Sequence, residues 1–331
     1  MKDHPSKGAD QNSPLGVGVW GIGPHARKNV LPAVAACSST RLVGVTSRST
    51  DLAREEALRY NCQFWDRPED MLLSPEIDAV YLATPIGLHR SQGELVLTAN
   101  KHLWCEKALA VSCTDVHELA SIAAIRGLSL CETFMYLYHP QFARIRSLVV
   151  EQALGAVSSV VCRFGLPPLQ NPGFRSSRDL GGGALLDVAC YPLSLALHLC
   201  GDEPRILCSR VHRAPDSEVD TSGIAVLEFP SGSVAELEWG YNRAYVNDLT
   251  IWGDKSSLHA DRVFSKSADY TSSIEIADLH GVRQVEEIAP TNSFVQMLHV
   301  FARSATDKQL QARLREEARR QALALEALKG E

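Results

Sequence analysis

Apolar positions along the chain follow two different rules. From residue 15 to about 132, short apolar runs alternate with stretches of helical period, whereas beyond 150 apolar and polar residues alternate at every second position. The first regime opens with the run Leu15-Gly-Val-Gly-Val-Trp20, which ends in Gly21-x-Gly23-x-x-Ala26. A helical pattern (Val30, Leu31, Val34, Ala35) follows at once, which predicts a strand, a tight glycine turn and a helix N-terminus. Arg41 to Ser47 reads as a second strand and Asp51 to Tyr60 as a helix, and Asp78 to Thr84 as a third strand closed by Pro85. Helix His89 to Ala99, strand His102 to Cys105, helix Ser112 to Arg126 and strand Leu128 to Glu132 complete the series. Such alternation predicts a parallel sheet with helices on both faces.

In the second regime, alternating runs cover Val157 to Phe164, Arg205 to His212, Gly223 to Phe229, Ser233 to Trp239, Asp248 to Trp252 and Ser257 to Phe264. Pro230-Ser231-Gly232 and Gly253-Asp254-Lys255 supply hairpin turns. The expected fold is therefore α/β: a Rossmann-type parallel sheet in a dinucleotide-binding domain (residues 15–133) and an α+β domain (134–305) with an open, mainly antiparallel sheet. A C-terminal helix, Thr306 to Lys329 within 306–331, is expected to pack back on the first domain, and the polar residues 1–14 read as a disordered lead-in.

Composition narrows the function. With 331 residues, 45% of them hydrophobic, the chain can bury a large core, and no apolar run approaches the ~20 residues of a membrane span. The polar N-terminus does not read as a signal peptide or an anchor. Nine scattered cysteines without a C-x-x-C pair argue for reduced thiols in a cytoplasmic protein and against a disulfide framework or a metal site. A net charge of −6 with no basic cluster argues against nucleic acid as a partner.

The glycine turn points to a dinucleotide, because the first glycine permits the turn and the second lets backbone approach a pyrophosphate at the positive end of a helix. Pro24 falls in the first helical turn, where its missing N–H costs nothing. In such sheets, ligands lie beyond the carboxyl ends of the strands. At the end of the second strand, an NAD-preferring unit usually places a carboxylate, but this chain reads Thr46-Ser47-Arg48-Ser49. A hydroxyl and a guanidinium suit a 2′-phosphate, so the expected cofactor is NADP(H) rather than NAD(H), through Ser47 and Arg48. The alternative is that Arg48 is an ordinary loop arginine.

Gly181-Gly-Gly-Ala-Leu-Leu-Asp187-Val-Ala-Cys-Tyr191-Pro192 is the most informative later stretch. Asp187 and Tyr191 stand at i and i+4 on one helix face, and Pro192 should bend that helix near the carbonyl of Val188. The pair reads either as a site or as a buried tyrosine bonded to its neighbour. The long connection Leu166 to Leu180 carries Arg175 and Arg178, which suit a substrate phosphate or are plain surface charge. His139 is a candidate substrate contact or a structural histidine before Pro140.

Together, several motifs resemble the glucose-fructose oxidoreductase / inositol dehydrogenase / rhizopine-catabolism family of NAD(P)-dependent sugar oxidoreductases. They are Gly21-x-Gly23, Thr84-Pro85-x-x-x-His89, Lys101-His102-x-x-x-Glu106-Lys107, Thr133-Phe-Met-Tyr-x-Tyr-His139-Pro140-Gln141 and the Gly181 to Pro192 stretch. The resemblance runs from about Gly16 to Phe301. It is strongest to the NADPH-dependent sugar 3-ketoreductases of deoxysugar pathways, with dihydrodiol and xylose dehydrogenases further off. Ala244-Tyr245-Val-Asn247 and Arg262-Val-Phe264 add to it.

The resemblance implies a cofactor site built from Gly21, Gly23, Pro24, His25, Ser47, Arg48, Thr84, Pro85, His89, Glu106 and Lys107. It also implies that Lys107 and Tyr191 flank a sugar carbonyl and that Asp187 holds a sugar hydroxyl; His139, Arg175, Arg178 and Tyr245 are the further substrate-binding candidates. Chemically, Tyr191 would donate a proton as the carbonyl becomes an alkoxide, and Lys107 would stabilise the charge and lower the pKa of the phenol. The family has Glu-Lys-Pro where this chain has Glu106-Lys107-Ala108, so a trans Lys107–Ala108 peptide is expected. The implied activity is reduction of a 3-keto, nucleotide-linked sugar. The alternatives are a sugar or trans-dihydrodiol dehydrogenase working oxidatively, or a non-catalytic NADP-binding sensor. The open sheet face suggests a homo-oligomer, a dimer or a tetramer.

Overall fold

The computed structural model describes residues 13–329 except Asp202, so the polar lead-in falls almost entirely outside the described residues. The apolar runs of the first regime are buried on both faces, as parallel strands covered by helices must be. β1 (Leu15–Trp20), β2 (Thr40–Thr46), β3 (Gln63–Trp65), β4 (Ala79–Leu82), β5 (His102–Glu106) and β6 (Leu130–Thr133) form a parallel sheet in the order β3-β2-β1-β4-β5-β6. β1 leads through a π-helical turn (Ala26–Val30) into α1 (Leu31–Ala36). The crossovers that follow use α2 (Thr50–Tyr60), α3 (Pro68–Leu73), α4 (Ile86–Thr98) and α5 (Cys113–Arg126). Local chemistry sets the ends of these helices: Ser49 and Ser112 cap α2 and α5, and Asn61 and Gly127 close them in the left-handed conformation. β3 and α3 are too short to show a period in the sequence.

α6 (Pro140–Val150) leads to the second sheet. Its strands are β7 (Val157–Gly165), β8 (Arg205–His212), β9 (Ser222–Glu228), β10 (Val234–Gly240), β11 (Val246–Gly253), β12 (Ser256–Asp261), β13 (Ser272–Asp278) and β14 (Arg283–Ile288), in the order β14-β13-β12-β11-β7-β10-β9-β8. All pairings are antiparallel except β7 with β10. One face packs on α7 (Cys190–Cys200) and on the turn before it. The other face leaves Trp252 and Ile224 exposed at 65% and 46%. α8 (Ser293–Ser304) and α9 (Lys308–Ala327) finish the chain, with α9 lying against α5, β6 and α7.

The connection 166–180 crosses from the second sheet to the first. The N–H of Gly87, in the first turn of α4, donates to the carbonyl of Leu180 at 2.9 Å. A Cβ at Gly87 would stand 2.5 Å from the carbonyl oxygen of Asp179, so the approach requires glycine.

Candidate active site

The parallel sheet supplies the lysine. β5 ends at Glu106, and Lys107 follows in a turn held by the Leu109 N–H, which donates to Glu132 Oε1 of β6 at 2.9 Å. The Lys107–Ala108 peptide is cis, which corrects the trans expectation. From the other half comes a π turn, Leu185–Ala189, directly before α7. This widened turn lies just ahead of Pro192, where the missing N–H was expected to break the ladder.

The two segments meet. Lys107 Nζ donates to Asp187 Oδ1 at 2.7 Å and to the Asp187 carbonyl at 2.5 Å, and it lies 4.9 Å from the centre of the Tyr191 ring. Asp187 Oδ2 accepts from Arg175 Nε at 2.7 Å and from the Tyr241 hydroxyl at 2.9 Å. Tyr191 sits in an aromatic box of Phe134, Tyr136, Phe164 and Phe264, and among the described residues its hydroxyl has only the weakly accepting Met135 Sδ for a partner, at 3.8 Å.

Burial and charge compete here. Burial works to strip Lys107 of its proton, but the Asp187 carboxylate outweighs it and holds the ammonium well above its ordinary value. Burial likewise pushes the Asp187 carboxyl up, and Lys107 with Arg175 overcomes it, so Asp187 stays ionised well below the usual range. For Tyr191 burial wins: the phenol is pushed up despite the pull of Lys107, the reverse of the expected lowering. Glu106 is held at about 2 although its burial acts in the other direction, because His25 (3.2 Å), the Tyr81 hydroxyl (2.7 Å) and the charge of Lys107 favour the carboxylate.

Several expected site residues have other work. Asp187, read as a ligand for a sugar hydroxyl, is the shared counter-ion of Lys107 and Arg175. Arg175 Nε donates to Asp187, and Arg178 Nε and Nη2 donate to the Glu218 carbonyl at 3.2 and 2.8 Å, so both guanidiniums, expected at a substrate phosphate, already hold protein acceptors. His139 is buried, and its Nδ1 accepts from the Gln141 N–H at the start of α6, which is a structural role in place of the expected substrate contact. His89, expected at the cofactor, is wholly buried between the carbonyls of Thr84 (2.8 Å) and Ala108 (3.0 Å) and ties the end of β4 to the lysine turn.

The remaining cofactor candidates surround an open turn. Gly21 has φ of +99°, and a Cβ there would meet the Ala83 carbonyl oxygen at 2.7 Å, whereas nothing lies within 4 Å of a Cβ at Gly23. Pro24 and His25 begin the helix beside that space. Ser47 follows β2, and Arg48 is exposed with no ion pair among the described residues. Thr84 donates to Gln92 at 2.6 Å, and Pro85 caps α4. An open glycine turn at a helix start, with a free guanidinium at the next strand end, fits a dinucleotide that carries an extra phosphate.

Sequence reasoning missed Tyr241, which follows the end of β10 and lies outside the motifs that carry the resemblance. It also passed over the role of Phe264 in the box around Tyr191. Tyr245 is 43% exposed, and its hydroxyl accepts from Asn247 Nδ2 at 3.1 Å.

The chain as a whole is similar to known proteins. The model of the GFO/IDH/MocA oxidoreductase family, NAD-binding Rossmann fold, matches residues 15–134, and that of the GFO/IDH/MocA C-terminal domain matches 142–259. The dTDP-3,4-didehydro-2,6-dideoxy-α-D-glucose 3-reductase of Saccharopolyspora spinosa is 33% identical over 80% of this chain and 79% of its own. Its Streptomyces violaceoruber counterpart is 34% identical over 84% and 81%. The crystal structure of a 3-ketoreductase from Actinomadura kijaniata in complex with NADP and TDP-benzene has a TM-score of 0.91 at 29% identity, covering 96% of this chain and 97% of its own.

Proposed function

This chain belongs to the GFO/IDH/MocA oxidoreductase family, and from that membership we propose that it is an NADPH-dependent reductase of a ketone at C3 of a nucleotide-linked sugar. The observation that carries the proposal is the meeting of Lys107 and Tyr191 from the two halves of the chain. Gly21, Gly23, Pro24 and His25 would hold the dinucleotide, with Ser47 and Arg48 on its 2′-phosphate. When bound, the reduced nicotinamide supplies a hydride.

The chain's own residues then manage charge and one proton. Lys107 spends two of its three donors on Asp187 and has one left for the substrate oxygen, while its charge opposes the negative charge developing there. The Tyr191 hydroxyl, in contact with a thioether, is available to a better acceptor and gives its proton to the forming alkoxide. Arg175 and Tyr241 fix the carboxylate that fixes Lys107. We also propose that the protein is cytoplasmic, in keeping with nine free thiols, and that it assembles as a homo-oligomer through the open sheet face.

The test is consumption of NADPH and NADH with a panel of keto-sugars. NADPH should be consumed with 3-keto nucleotide sugars and outperform NADH. No consumption with any of them removes the proposal.

A further inference from the structure

The C-terminal helix α9 is fastened to both halves of the chain. On the side of the parallel sheet, Glu326 Oε2 accepts from the Cys113 N–H at the start of α5 at 2.8 Å, and Arg315 Nη1 donates to the Leu128 carbonyl before β6 at 3.4 Å. On the other side, the carbonyl of Leu328, which caps α9, accepts from Ser209 Oγ of β8 at 2.5 Å, and Gln321 Nε2 donates to the Cys190 carbonyl at 2.9 Å. That last carbonyl belongs to the peptide that carries the Tyr191 nitrogen. The backbone is least supported there, since the π turn Leu185–Ala189 precedes it and Pro192 brings no N–H. A side-chain donor on this peptide therefore helps to set where Tyr191 stands.

A carbonyl can only accept, so the amide nitrogen of Gln321 faces Cys190 and its Oε1 faces the other way. Gln321 is 4% exposed, and among the described residues its Oε1 is buried without a partner. Buried acceptors are normally satisfied, so this one calls for a donor. Two small cavities, of about 10 and about 20 Å³, lie against Gln321, each with room for about one water, and Glu132 lines both. Glu132 Oε1 already accepts from the Leu109 N–H of the lysine turn. Burial raises this carboxyl to about 8, so at neutral pH it keeps a proton that needs an acceptor of its own. An orphaned acceptor and a carboxylic acid thus share the same two spaces.

Resting on the reading of Lys107 and Tyr191 as the reacting pair, we infer that Gln321 is a positioning residue: it fixes the Tyr191 peptide directly and the lysine turn through a water shared with Glu132, so that α9 holds the two halves of the site in register. Amide hydrogen exchange of the NADPH-loaded protein tests this without a sugar. Gln321→Met, which keeps the volume and removes both polar atoms, speeds exchange of the Leu109 amide about tenfold, although the acceptor of that amide is on β6 and not on α9. In the reductase assay, Gln321→Met and Glu132→Leu each lower kcat about tenfold and leave KM for NADPH within about twofold. Combined, they lower kcat little further than either alone, because both break one bridge. Glu132→Gln keeps a donor and an acceptor and restores most of the rate lost in Glu132→Leu.

Gln321→Leu repeats the test should Gln321→Met not fold. The inference is overturned by unchanged Leu109 exchange in a folded Gln321 variant, by a lower melting temperature with unchanged kcat, or by losses in kcat that multiply in the double variant. The two readings fail separately. If the wild type reduces 3-keto nucleotide sugars and Gln321→Met does so at the same rate, only this inference is wrong, whereas a wild type that reduces none removes the function itself.

Discussion

Lys107 and Tyr191 sit together but are tuned in different ways. The lysine is a secure cation because Asp187 outweighs its burial, and the phenol is a weak acid because its aromatic box outweighs the lysine. An acid far from the working pH contributes less, so the two residues should not matter equally. Lys107→Ala is expected to lower kcat by roughly 10²–10³, the scale of losing one preorganised oxyanion donor. Tyr191→Phe should cost about tenfold, the scale of one neutral hydrogen bond. Steady-state rates of both variants decide this, and equal losses would contradict it. Both residues were legible in the sequence because each lies in a short local motif. The partners of Asp187 were not, since Arg175 comes from an irregular loop and Tyr241 from a distant strand end.

Elements show where backbone, more than side chain, sets the outcome. Gly21 and Gly23 look alike in the sequence, yet only Gly21 is strained for any other residue. Gly21→Ala should destabilise the fold by roughly 1–3 kcal/mol, the usual cost of a disfavoured backbone conformation. Gly23→Ala should keep the melting temperature and raise KM for NADPH, because its methyl group enters open space at the turn. Thermal melts and NADPH titrations of the pair separate these outcomes.

A second element-scale effect is the strut from β6 to the lysine turn. Burial raises Glu132 to about 8, against the Leu109 N–H and Lys107. A raised carboxyl stabilises the fold below its unfolded pKa and loses that contribution as pH climbs through the folded value. Wild-type stability should therefore decline between about pH 4.5 and pH 8, and Glu132→Gln should flatten that decline in urea titrations at several pH values. An unchanged slope would refute the role given to Glu132. The parallel strands were readable because burial on both faces leaves uninterrupted apolar runs. β3 was too short to read, and β13 and β14 follow a polar connection that hides their alternation.

At the scale of the whole molecule, the site exists only because two sheets meet, and no local pattern announces such a meeting. The 166–180 connection reaches α4 at Gly87, and the π turn before α7 delivers Asp187 to a lysine 80 residues earlier. Among the described residues no element covers Trp252 and Ile224 on the outer face of the second sheet, and Trp252 is largely exposed. Trp252→Asp should leave the fold intact and shift sedimentation toward a smaller species. Identical sedimentation would place the subunit interface elsewhere.

The central claim is that this chain moves a hydride from NADPH to C3 of a keto-sugar. Incubation of the protein with deuterated NADPH and a nucleotide-linked 3-keto sugar, followed by mass and NMR analysis of the product, tests it directly. The account predicts one deuterium at C3 for each NADPH consumed. NADPH left unoxidised, or deuterium at another carbon, would contradict it.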